Sequence, residues 1–362
     1  MTSFSLSRYP APERIVIFRA LNLGDFLCVV PALRMLRHAF PDAHITLVGL
    51  SNARECIARF TDYINAFVDF PGDPLLPERE VRADAVDDFY ATMQQHRFGL
   101  ALQMHGSGRY SNAITQRLGA RQWAGFVPDA SQQTPWKLAW PDTEPEVMRY
   151  VALLRHLGLP IEKDVRLELP LTDRDHRKAD ALAQCLHVYG RHTVFMHPGA
   201  RMASRRWPAH RFIEVGRQLV KEGWRIAVTG SLSECGLTAR VASGIGTGAV
   251  DCGGLTDLGM LASMLQRAPL LICNDTGVSH VAAAMRTPSV VIASGSDVNR
   301  WAPLDTGLHT VLHADVPCRP CAHDDCPVPG HPCATRITTD DVLAAAHLQL
   351  IREQTHEMAA NL

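Results

Sequence analysis

The residues that decide the fold are Arg14–Phe40, which read RIVIFRALNLGDFLCVVPALRMLRHAF. After its first residue, the segment Arg14–Phe18 contains only β-branched and aromatic residues, which predicts a buried strand. In Phe26–Ala39 apolar residues recur at near-helical spacing, at Leu27, Val30, Leu33 and Leu36. A strand that runs through a short polar loop into a helix is the first unit of a parallel α/β sheet.

The same alternation continues along the chain. In the first half it predicts strands at Arg14–Phe18, His44–Val48, Ala66–Phe70, Gly99–Gln103 and Gln122–Phe126. In the second half it predicts strands at Thr193–Met196, Arg225–Thr229, Ala249–Asp251, Leu270–Asn274, Ser289–Ala293 and Thr310–His313. The helices expected between these later strands are Pro208–Glu222, Ser233–Ser243, Asp257–Gln266 and Gly277–Met285. Between the halves, the polar, proline-punctuated stretch Pro160–Asp175 predicts a linker.

These patterns predict two doubly wound α/β domains, residues 1–172 and 173–362. Ligands of such sheets bind at the carboxyl ends of the strands, so we expect a site in a cleft between the two domains. A terminal helix, residues 338–360, is expected to pack back on the N-terminal domain.

Composition narrows the class of function. The chain of 362 residues is 46% hydrophobic and 20% charged, as globular proteins are. Lysine and arginine total 36 against 37 acidic residues, and this balance argues against a nucleic-acid partner. We see neither an apolar run that could span a bilayer nor a secretory signal, so a cytoplasmic protein is expected. Six scattered cysteines are expected to be reduced and buried: Cys28, Cys56, Cys185, Cys235, Cys252 and Cys273.

Two loops of the first half carry candidate chemistry. After the first strand, Asn22, Gly24 and Asp25 precede a helix. Asp25 either caps that helix or points into the cleft, where a carboxylate can reach a bound hydroxyl. The loop Gln103–Arg109 contains His105, Ser107 and Arg109, which suit a phosphate or a sugar hydroxyl but equally suit an ordinary turn.

Two loops of the second half favour an anion site. His197, Gly199 and three arginines (Arg201, Arg205 and Arg206) follow one strand and precede the helix that begins at Pro208. Asp275, Thr276 and Gly277 open another helix, where capping oxygens and free amides are expected and a diphosphate could bind. Capping does not explain His280, which lies one turn into that helix.

Other phosphate-binding and hydrolytic motifs are absent from the sequence. No lysine follows a glycine, which excludes a P-loop. The first helix has no Gly-x-Gly-x-x-Gly and no strand is followed by Gly-x-Ser-x-Gly, so the sequence supports neither a dinucleotide-dependent dehydrogenase nor a hydrolase of that type.

Four cysteines cluster in the proline-rich loop 317–334, at Cys318, Cys321, Cys326 and Cys333. Four thiolates suit a tetrahedral structural Zn or Fe ion, with disulfides or free thiols as the alternatives. We expect this loop to be structural and distant from the chemistry.

Several of these segments together resemble glycosyltransferase family 9, the ADP-heptose:lipopolysaccharide heptosyltransferases and their relatives. The resemblance runs from about Arg14 to about Val342 and rests on motifs in the family's order. These are Leu23-Gly24-Asp25 with Pro31-Ala32-Leu33-Arg34, His197-Pro198-Gly199, Arg205-Arg206-Trp207-Pro208, and Asn274-Asp275-Thr276-Gly277-Val278-Ser279-His280.

The resemblance implies a GT-B fold, in which two Rossmann-like domains face each other across a cleft. It implies that the N-terminal domain holds the acceptor, that the C-terminal domain holds a nucleotide-sugar donor, and that transfer inverts the sugar without a metal. Asp25 matches the proposed general base, and Arg205 stands where many members have a lysine that contacts the donor phosphates. The matches on the donor side are Asp275, Thr276, Gly277 and His280 at the helix start, Glu234 at the ribose and Leu255 near the base.

We therefore predict an inverting glycosyltransferase that moves heptose from ADP-heptose to a lipopolysaccharide-core or related surface-glycan acceptor, with at most peripheral membrane contact. The alternatives are a relative that uses another nucleotide sugar or glycosylates a protein, and a non-catalytic nucleotide-sugar-binding protein. Some relatives that glycosylate proteins hold iron at the family's cysteine cluster.

Overall fold

The computed structural model describes residues 6, 9–76, 79–188 and 190–360. The chain divides into two compact units, Met1–Leu167 and Glu168–Leu362. The boundary expected from the sequence, after residue 172, lies in the same connecting segment.

The first unit is built on a six-stranded parallel sheet. Its strands are β1 (Arg14–Phe18), β2 (His44–Gly49), β3 (Ala66–Asp69), β4 (Leu100–Gln103), β5 (Gln122–Val127) and β6 (Lys137–Ala139). Its helices are α1 (Leu23–Leu27), α2 (Val30–Ala39), α3 (Arg54–Ile57), α4 (Ala83–Gln95), α5 (Ser111–Arg117) and α6 (Glu146–His156). The short strand β6 lies at the edge and was not predicted from the sequence.

The second unit repeats this plan. Its strands are β7 (Thr193–His197), β8 (Arg225–Gly230), β9 (Ala249–Gly253), β10 (Leu271–Asn274), β11 (Ser289–Ile292) and β12 (His309–Leu312). Its helices are α7 (Asp173–Leu186), α8 (Ala209–Lys221), α9 (Cys235–Ile245), α10 (Leu258–Leu265), α11 (Gly277–Met285), α12 (Val298–Trp301), α13 (Pro332–Thr335) and α14 (Thr339–Ala360).

Strand order places one topological switch point in each sheet. The orders are β3-β2-β1-β4-β5-β6 and β12-β11-β10-β7-β8-β9, and all pairs are parallel. The order therefore reverses between β1 and β4 in the first sheet and between β7 and β10 in the second. Doubly wound sheets bind ligands at this point, beyond the carboxyl ends of the strands. The four loops singled out from the sequence follow β1, β4, β7 and β10.

The helix predicted over Phe26–Ala39 is interrupted. It begins earlier, at Leu23, and breaks between Leu27 and Val30. The amide of Val29 donates to the carbonyl of Phe26 at 3.0 Å, and the carbonyl of Asp25 accepts from the side chain of Arg19. A side chain that takes the place of a main-chain donor ends the regular helical pattern, and apolar spacing cannot reveal this.

The predicted linker is too long at its C-terminal end, because α7 begins at Asp173. Thr172 and Asp175 form a capping box: the hydroxyl of Thr172 accepts from the amide of Asp175, and the carboxylate of Asp175 accepts from the amide of Thr172 at 2.8 Å. The last three residues of the predicted linker, 173–175, are therefore the first turn of this helix.

The C-terminal helix α14 packs in its own unit, whereas the sequence analysis places it on the N-terminal domain. Val342, Ala346 and Leu350 are buried in one cluster with residues of α8 and of β7, β8, β10 and β11. Gln349 also donates to the hydroxyl of Thr310 in β12 at 2.9 Å. In the described ranges, no helix has the length and apolarity needed to cross a membrane.

A buried histidine in the second sheet should make stability depend on pH. His309 pairs through Nδ1 with the hydroxyl of Ser289 at 2.8 Å, and burial lowers its pKa from 6.5 to about 4. The unfolded chain therefore binds a proton at His309 more strongly than the folded chain. The contribution of neutral His309 to the free energy of unfolding is complete above about pH 6.5 and is lost as the pH falls towards 4. We expect a loss of roughly 2 kcal/mol between about pH 6.5 and pH 5.

Urea unfolding of the wild type and of His309→Asn across this range would check the expectation. The variant should lose less stability than the wild type on acidification, because asparagine does not titrate. Equal pH dependence in the two proteins would contradict it.

Candidate active site

Asp25 lies in the first turn of α1, directly after β1 at the switch point of the first sheet, and is half-buried. Arg19 donates from Nε to the carbonyl oxygen of Asp25 at 3.0 Å and also from Nη2 to the same oxygen. Gly24 beside it is buried. The exposed Asn22 accepts at its Oδ1 from the side-chain Nδ2 of Asn52 at 3.1 Å. The loop is thus held by specific contacts, with the carboxylate of Asp25 at the strand end that the sequence predicts.

The loop after β4 is tied to the loop after β1. His105 accepts through Nδ1 from the main-chain amide of Ala20 at 3.2 Å. His105 is buried, so the structure gives it a role in shaping this edge. Ser107 is half-buried and Arg109 is exposed.

Gln103 shapes this second loop and was not selected from the sequence. Its Nε2 donates to the hydroxyl of Ser111 at 2.6 Å, and that hydroxyl donates to the carbonyl of His105 at 2.7 Å. Its Oε1 accepts from the amide of Phe126 at 3.0 Å. A glutamine that ends an otherwise apolar strand was the available signal. Its amide satisfies main-chain groups of the loop that would otherwise be left buried without partners.

A buried charged network lies behind these two loops. Arg19, Glu146 and Arg149 have side-chain exposures of 0%, 1% and 2%. Arg19 lies 3.6 Å from Glu146 and bonds to the hydroxyl of Tyr150, which in turn donates to Glu146. The lone arginine after β1 was the only sequence signal of this network, because Glu146 and Tyr150 lie on α6, far along the chain.

In the second unit, three predicted donor-side residues come together at the end of β7. The carboxylate of Glu234 lies 3.9 Å from Nε2 of His197 and accepts from the amide and hydroxyl of Ser231, both at 2.8 Å. A Cβ on Gly199 would collide with this carboxylate, so a larger residue there would displace the side chain of Glu234. Burial lowers the pKa of His197, against the opposing effect of Glu234. The imidazole is therefore neutral at physiological pH and accepts or donates without adding charge.

The three predicted arginines do not act alike. Arg201 is exposed, whereas Arg206 donates from Nε to the carbonyl of Ala200 at 2.8 Å and so braces its own loop. Arg205 donates from Nη2 to the carbonyl of Cys321 at 2.5 Å, and its Nη1 is buried without a partner. Of the three, Arg205 alone has a buried guanidinium nitrogen with no acceptor.

Two serines that the sequence analysis did not select add further hydrogen-bond donors beside Arg205. The hydroxyls of Ser294 and Ser296, which follow β11, are buried and have no partner. Gly295 between them lies against the guanidinium of Arg205, since a Cβ there would lie 3.8 Å from Nη1. Buried donors without acceptors are rare in folded proteins, and an anion can satisfy several at once.

The helix start after β10 has open amides. Thr276 is the N-cap of α11, but its hydroxyl makes no capping hydrogen bond, contrary to the capping role expected from the sequence. Its backbone is extended, and its carbonyl accepts from the amide and hydroxyl of Ser279. Asp275 and Gly277 are half-buried, and His280 packs edge-on against Trp301, with ring centroids 6.3 Å apart. The uncapped first turn leaves amides that suit an anion.

Asn274, at the end of β10, clamps the loops of this site. Its Oδ1 accepts from the amide of Trp207 at 2.9 Å, and its Nδ2 donates to the carbonyl of Pro198 at 2.8 Å. The side chain is fully buried. Asparagine is suited to this position because it supplies one acceptor and two donors. Among the described contacts, none joins Leu255 to these loops. Leu255 follows β9 and is 48% exposed.

The cysteine loop contacts the segment that carries Arg205, a residue that the sequence analysis predicts to bind the sugar donor. Cys321 donates from its amide to the carbonyl of Gly295 at 2.9 Å and accepts from Arg205. The hydroxyl of Ser204 donates to the carbonyl of His323 at 2.5 Å. The loop therefore braces the segment that carries Arg205.

The four clustered cysteines are free thiols in this structure, as are the six scattered ones. Of those six, Cys185 is exposed and Cys235 is half-buried, whereas the sequence analysis expected both to be buried. Burial raises the pKa of Cys333, and the nearby Cys326, Cys318 and Cys321 raise it further, so the four sulfurs share one region. Within the described residues, however, no three histidine, cysteine or acidic side chains are arranged to hold a metal ion. The Zn or Fe site stays a prediction.

A known family model covers most of the chain, including the loops after β4, β7 and β10. The model for glycosyltransferase family 9 (heptosyltransferase) matches residues 88–331. The chain belongs to glycosyltransferase family 9. This glycosyltransferase is 29% identical to lipopolysaccharide heptosyltransferase 2 of Salmonella typhimurium over 343 residues, which cover 84% of this chain and 91% of that relative.

Solved structures confirm the predicted α/β two-domain fold of the glycosyltransferase. The crystal structure of the ADP-heptose lipopolysaccharide heptosyltransferase II of Escherichia coli aligns over 94% of this chain and 99% of its own, with a TM-score of 0.71 and 18% identity. The iron-containing dodecameric glycosyltransferase TibC, from enterotoxigenic Escherichia coli, aligns over 98% of this chain and 81% of its own, with a TM-score of 0.55 and 15% identity.

Proposed function

We propose that this enzyme transfers heptose from ADP-heptose, with inversion, to a hydroxyl of a lipopolysaccharide-core or related surface-glycan acceptor at the cytosolic face of the membrane. The similarity to lipopolysaccharide heptosyltransferase 2 supports this donor and acceptor. The observation that carries the proposal is a set of hydrogen-bond donors that follow β7, β10 and β11. Nη1 of Arg205 and the hydroxyls of Ser294 and Ser296 lie buried without acceptors, and α11 begins with uncapped amides. A diphosphate supplies the acceptors that these groups lack.

Each unit would contribute one part of the chemistry. An acceptor hydroxyl is a weak nucleophile, and the carboxylate of Asp25 would take its proton as the new glycosidic bond forms. The bond from the sugar to the β-phosphate breaks, and its electrons leave with ADP. Arg205 and the amides at the start of α11 would stabilise the charge that develops on the leaving group.

The arginine at position 205 fits this role. It stands where many family members have lysine, and it keeps the positive charge while adding a planar pair of donors. Its anchor on the carbonyl of Cys321 fixes one side of the guanidinium and leaves Nη1 for a phosphate oxygen. Removal of the guanidinium should therefore weaken the binding of a diphosphate more than the binding of a nucleoside.

Calorimetry of the purified protein with ADP-heptose and with ADP-, GDP-, UDP- and dTDP-linked hexoses tests the donor. We expect ADP-heptose to bind at least about tenfold more tightly than the others, a difference of about 1.4 kcal/mol. Arg205→Ala should weaken ADP binding, whereas alanine at the exposed Arg201 should leave it nearly unchanged. Preference for another nucleotide sugar would favour a relative with a different donor, and donor binding without transfer to any acceptor would favour the non-catalytic alternative.

We also propose that Cys318, Cys321, Cys326 and Cys333 hold a structural Zn or Fe ion. Four thiols in one region suit either metal, and an ion would offset both the burial and the repulsion between sulfurs that raise the pKa of Cys333. The free-thiol arrangement described above would have to close around the ion. We propose no role for the metal in the transfer step.

Elemental analysis of the purified protein tests the metal. We expect about one Zn or Fe per chain, lost in Cys326→Ser and retained in Cys185→Ser, which removes an exposed cysteine outside the loop. Protein without metal, with all four thiols open to a thiol reagent or with disulfides, would contradict the proposal.

A further inference from the structure

The guanidinium of Arg19 is buried in the first unit, with a side-chain exposure of 0%. Burial of a charge costs several kcal/mol unless partners compensate it. Here the compensation is extensive, because the group contacts the carboxylate of Glu146, the hydroxyl of Tyr150 and two main-chain carbonyls. A site that needed only a filled core could use an apolar side chain instead.

The two carbonyls belong to the two loops at the switch point. Arg19 holds the carbonyl of Asp25 with Nε and Nη2, and the carbonyl of Met104 with Nη1 at 2.7 Å. It therefore joins the loop after β1 to the loop after β4 by side-chain hydrogen bonds. The carbonyl of Asp25 lies where α1 breaks from α2. Because Arg19 donates to it, this contact fixes the main chain of Asp25.

The guanidinium also acts on the charge of Asp25. Burial by itself lowers the pKa of Arg19, but Tyr150, Glu146, Asp25 and Cys28 raise it, and the net change is upward. Arg19 is therefore positively charged. Electrostatic interaction is mutual, so the same charge favours the ionised form of Asp25, which a general base requires.

Among the described residues, titratable groups near Arg19 lie on α6, in the two loops and at the C-terminal end of α1. Glu146 partly cancels its positive charge, and Arg149 lies 3.5 Å from Glu146 on the same helix. Burial raises the pKa of Tyr150 well above its usual value, so this hydroxyl stays neutral. Cys28 lies between α1 and α2, and His105 bonds to the amide of Ala20.

We propose that Arg19 is the positioning residue of the catalytic centre, which fixes the main chain of Asp25 against the β4 loop and places a buried positive charge beside that residue, with Glu146 partly neutralising this charge. The proposal rests on the proposed function in that it takes Asp25 as the base. Its two consequences, a rigid loop and a shifted titration, can be measured without turnover.

Carbon NMR of protein labelled at the aspartate carboxyl carbons tests the electrostatic part. Asp25→Asn assigns the signal of Asp25 by its loss. In Arg19→Met the titration midpoint of Asp25 should rise by about 0.5–1 pH unit. In Glu146→Gln it should fall, because the positive charge of Arg19 is less cancelled. Arg19→Lys keeps the charge and should restore most of the midpoint.

Arg37 offers a matched control in the same unit. Its guanidinium also holds main-chain carbonyls, those of Pro41 at 2.9 Å and Ala43 at 2.7 Å, but these follow α2 and not the loops of the site. Arg37→Met should therefore leave the titration of Asp25 unchanged. Hydrogen–deuterium exchange should accelerate over residues 20–29 in Arg19→Met and not in Arg37→Met.

Opposite shifts in Arg19→Met and Glu146→Gln support the proposal, because loss of packing alone has no reason to reverse sign. An unchanged midpoint in both, or an equal shift in Arg37→Met, overturns it. Should Arg19→Met fail to fold, Glu146→Gln and Arg19→Lys still decide. If Asp25→Asn keeps full transfer activity while the shifts occur, the role of Asp25 as base fails and the coupling to Arg19 stands.

Discussion

Asp25→Asn should lower kcat for heptose transfer by roughly 10²–10⁴-fold. Asparagine has nearly the same shape as aspartate but cannot accept the proton of the acceptor hydroxyl at neutral pH. The contact that fixes the loop is made by the main-chain carbonyl of Asp25, so it survives the substitution. The donor-side residues lie in the other unit, so the affinity for ADP should stay within about twofold of the wild type, less than about 0.5 kcal/mol.

Steady-state kinetics and ADP calorimetry on the same preparation measure the two effects. Asp88→Asn, at an exposed position of α4, is a control for removal of one negative charge and should leave kcat unchanged. Retention of most of the activity in Asp25→Asn would remove this residue from the mechanism. A parallel loss of ADP affinity would show that it acts on donor binding.

Asn274→Asp should lower the free energy of unfolding by about 3–5 kcal/mol. The side chain is fully buried, and its Nδ2 donates to the carbonyl of Pro198. In the variant an oxygen replaces this nitrogen, so a carboxylate oxygen faces a carbonyl oxygen without water between them. The amide of Trp207 bonds to the other oxygen and cannot compensate the buried charge.

Urea unfolding followed by tryptophan fluorescence measures this loss, and Asn299→Asp at an exposed position is the matched control. Acidification should reduce the deficit. The buried carboxyl would be protonated at a higher pH in the folded chain than in the unfolded chain, and a protonated carboxyl can donate to Pro198. ADP affinity should also fall, since the same side chain fixes the segments that carry Gly199 and Arg205. Stability equal to the wild type across pH would contradict the clamp.

Much of the fold is encoded locally. Buried parallel strands are continuous apolar runs, so β1 was predicted with its observed bounds and the remaining predicted strands differ from the structure by only a few residues. The helix α11 was predicted over its full length because Asp275, Thr276 and Gly277 are typical of a helix start. Local patterns carry no information about the short edge strand β6 or the break after Leu27. The first turn of α7 was missed although its capping-box residues, Thr172 and Asp175, are a local signal of a helix start.

Candidate residues were found when they stood next to one another in a loop. Asp25, His197, Arg205 and Thr276 belong to such loops, and the structure places all four loops at switch points. The roles of individual side chains were less visible. The hydroxyl of Thr276 does not cap its helix, and Arg206 holds its own loop. Which neighbour a side chain meets depends on the path of the backbone, which residue type does not specify.

By itself, the sequence determined the two α/β units, the strand ends that carry chemistry and the family. These properties follow from residues close together along the chain, where apolar periodicity and turn chemistry act. The tertiary structure alone decided which distant groups meet: Arg19 with Glu146 and Tyr150, Asn274 with Pro198 and Trp207, and the cysteine loop with Arg205. Such contacts depend on strand order and helix packing, because these determine which distant groups can serve as partners for a polar group that becomes buried.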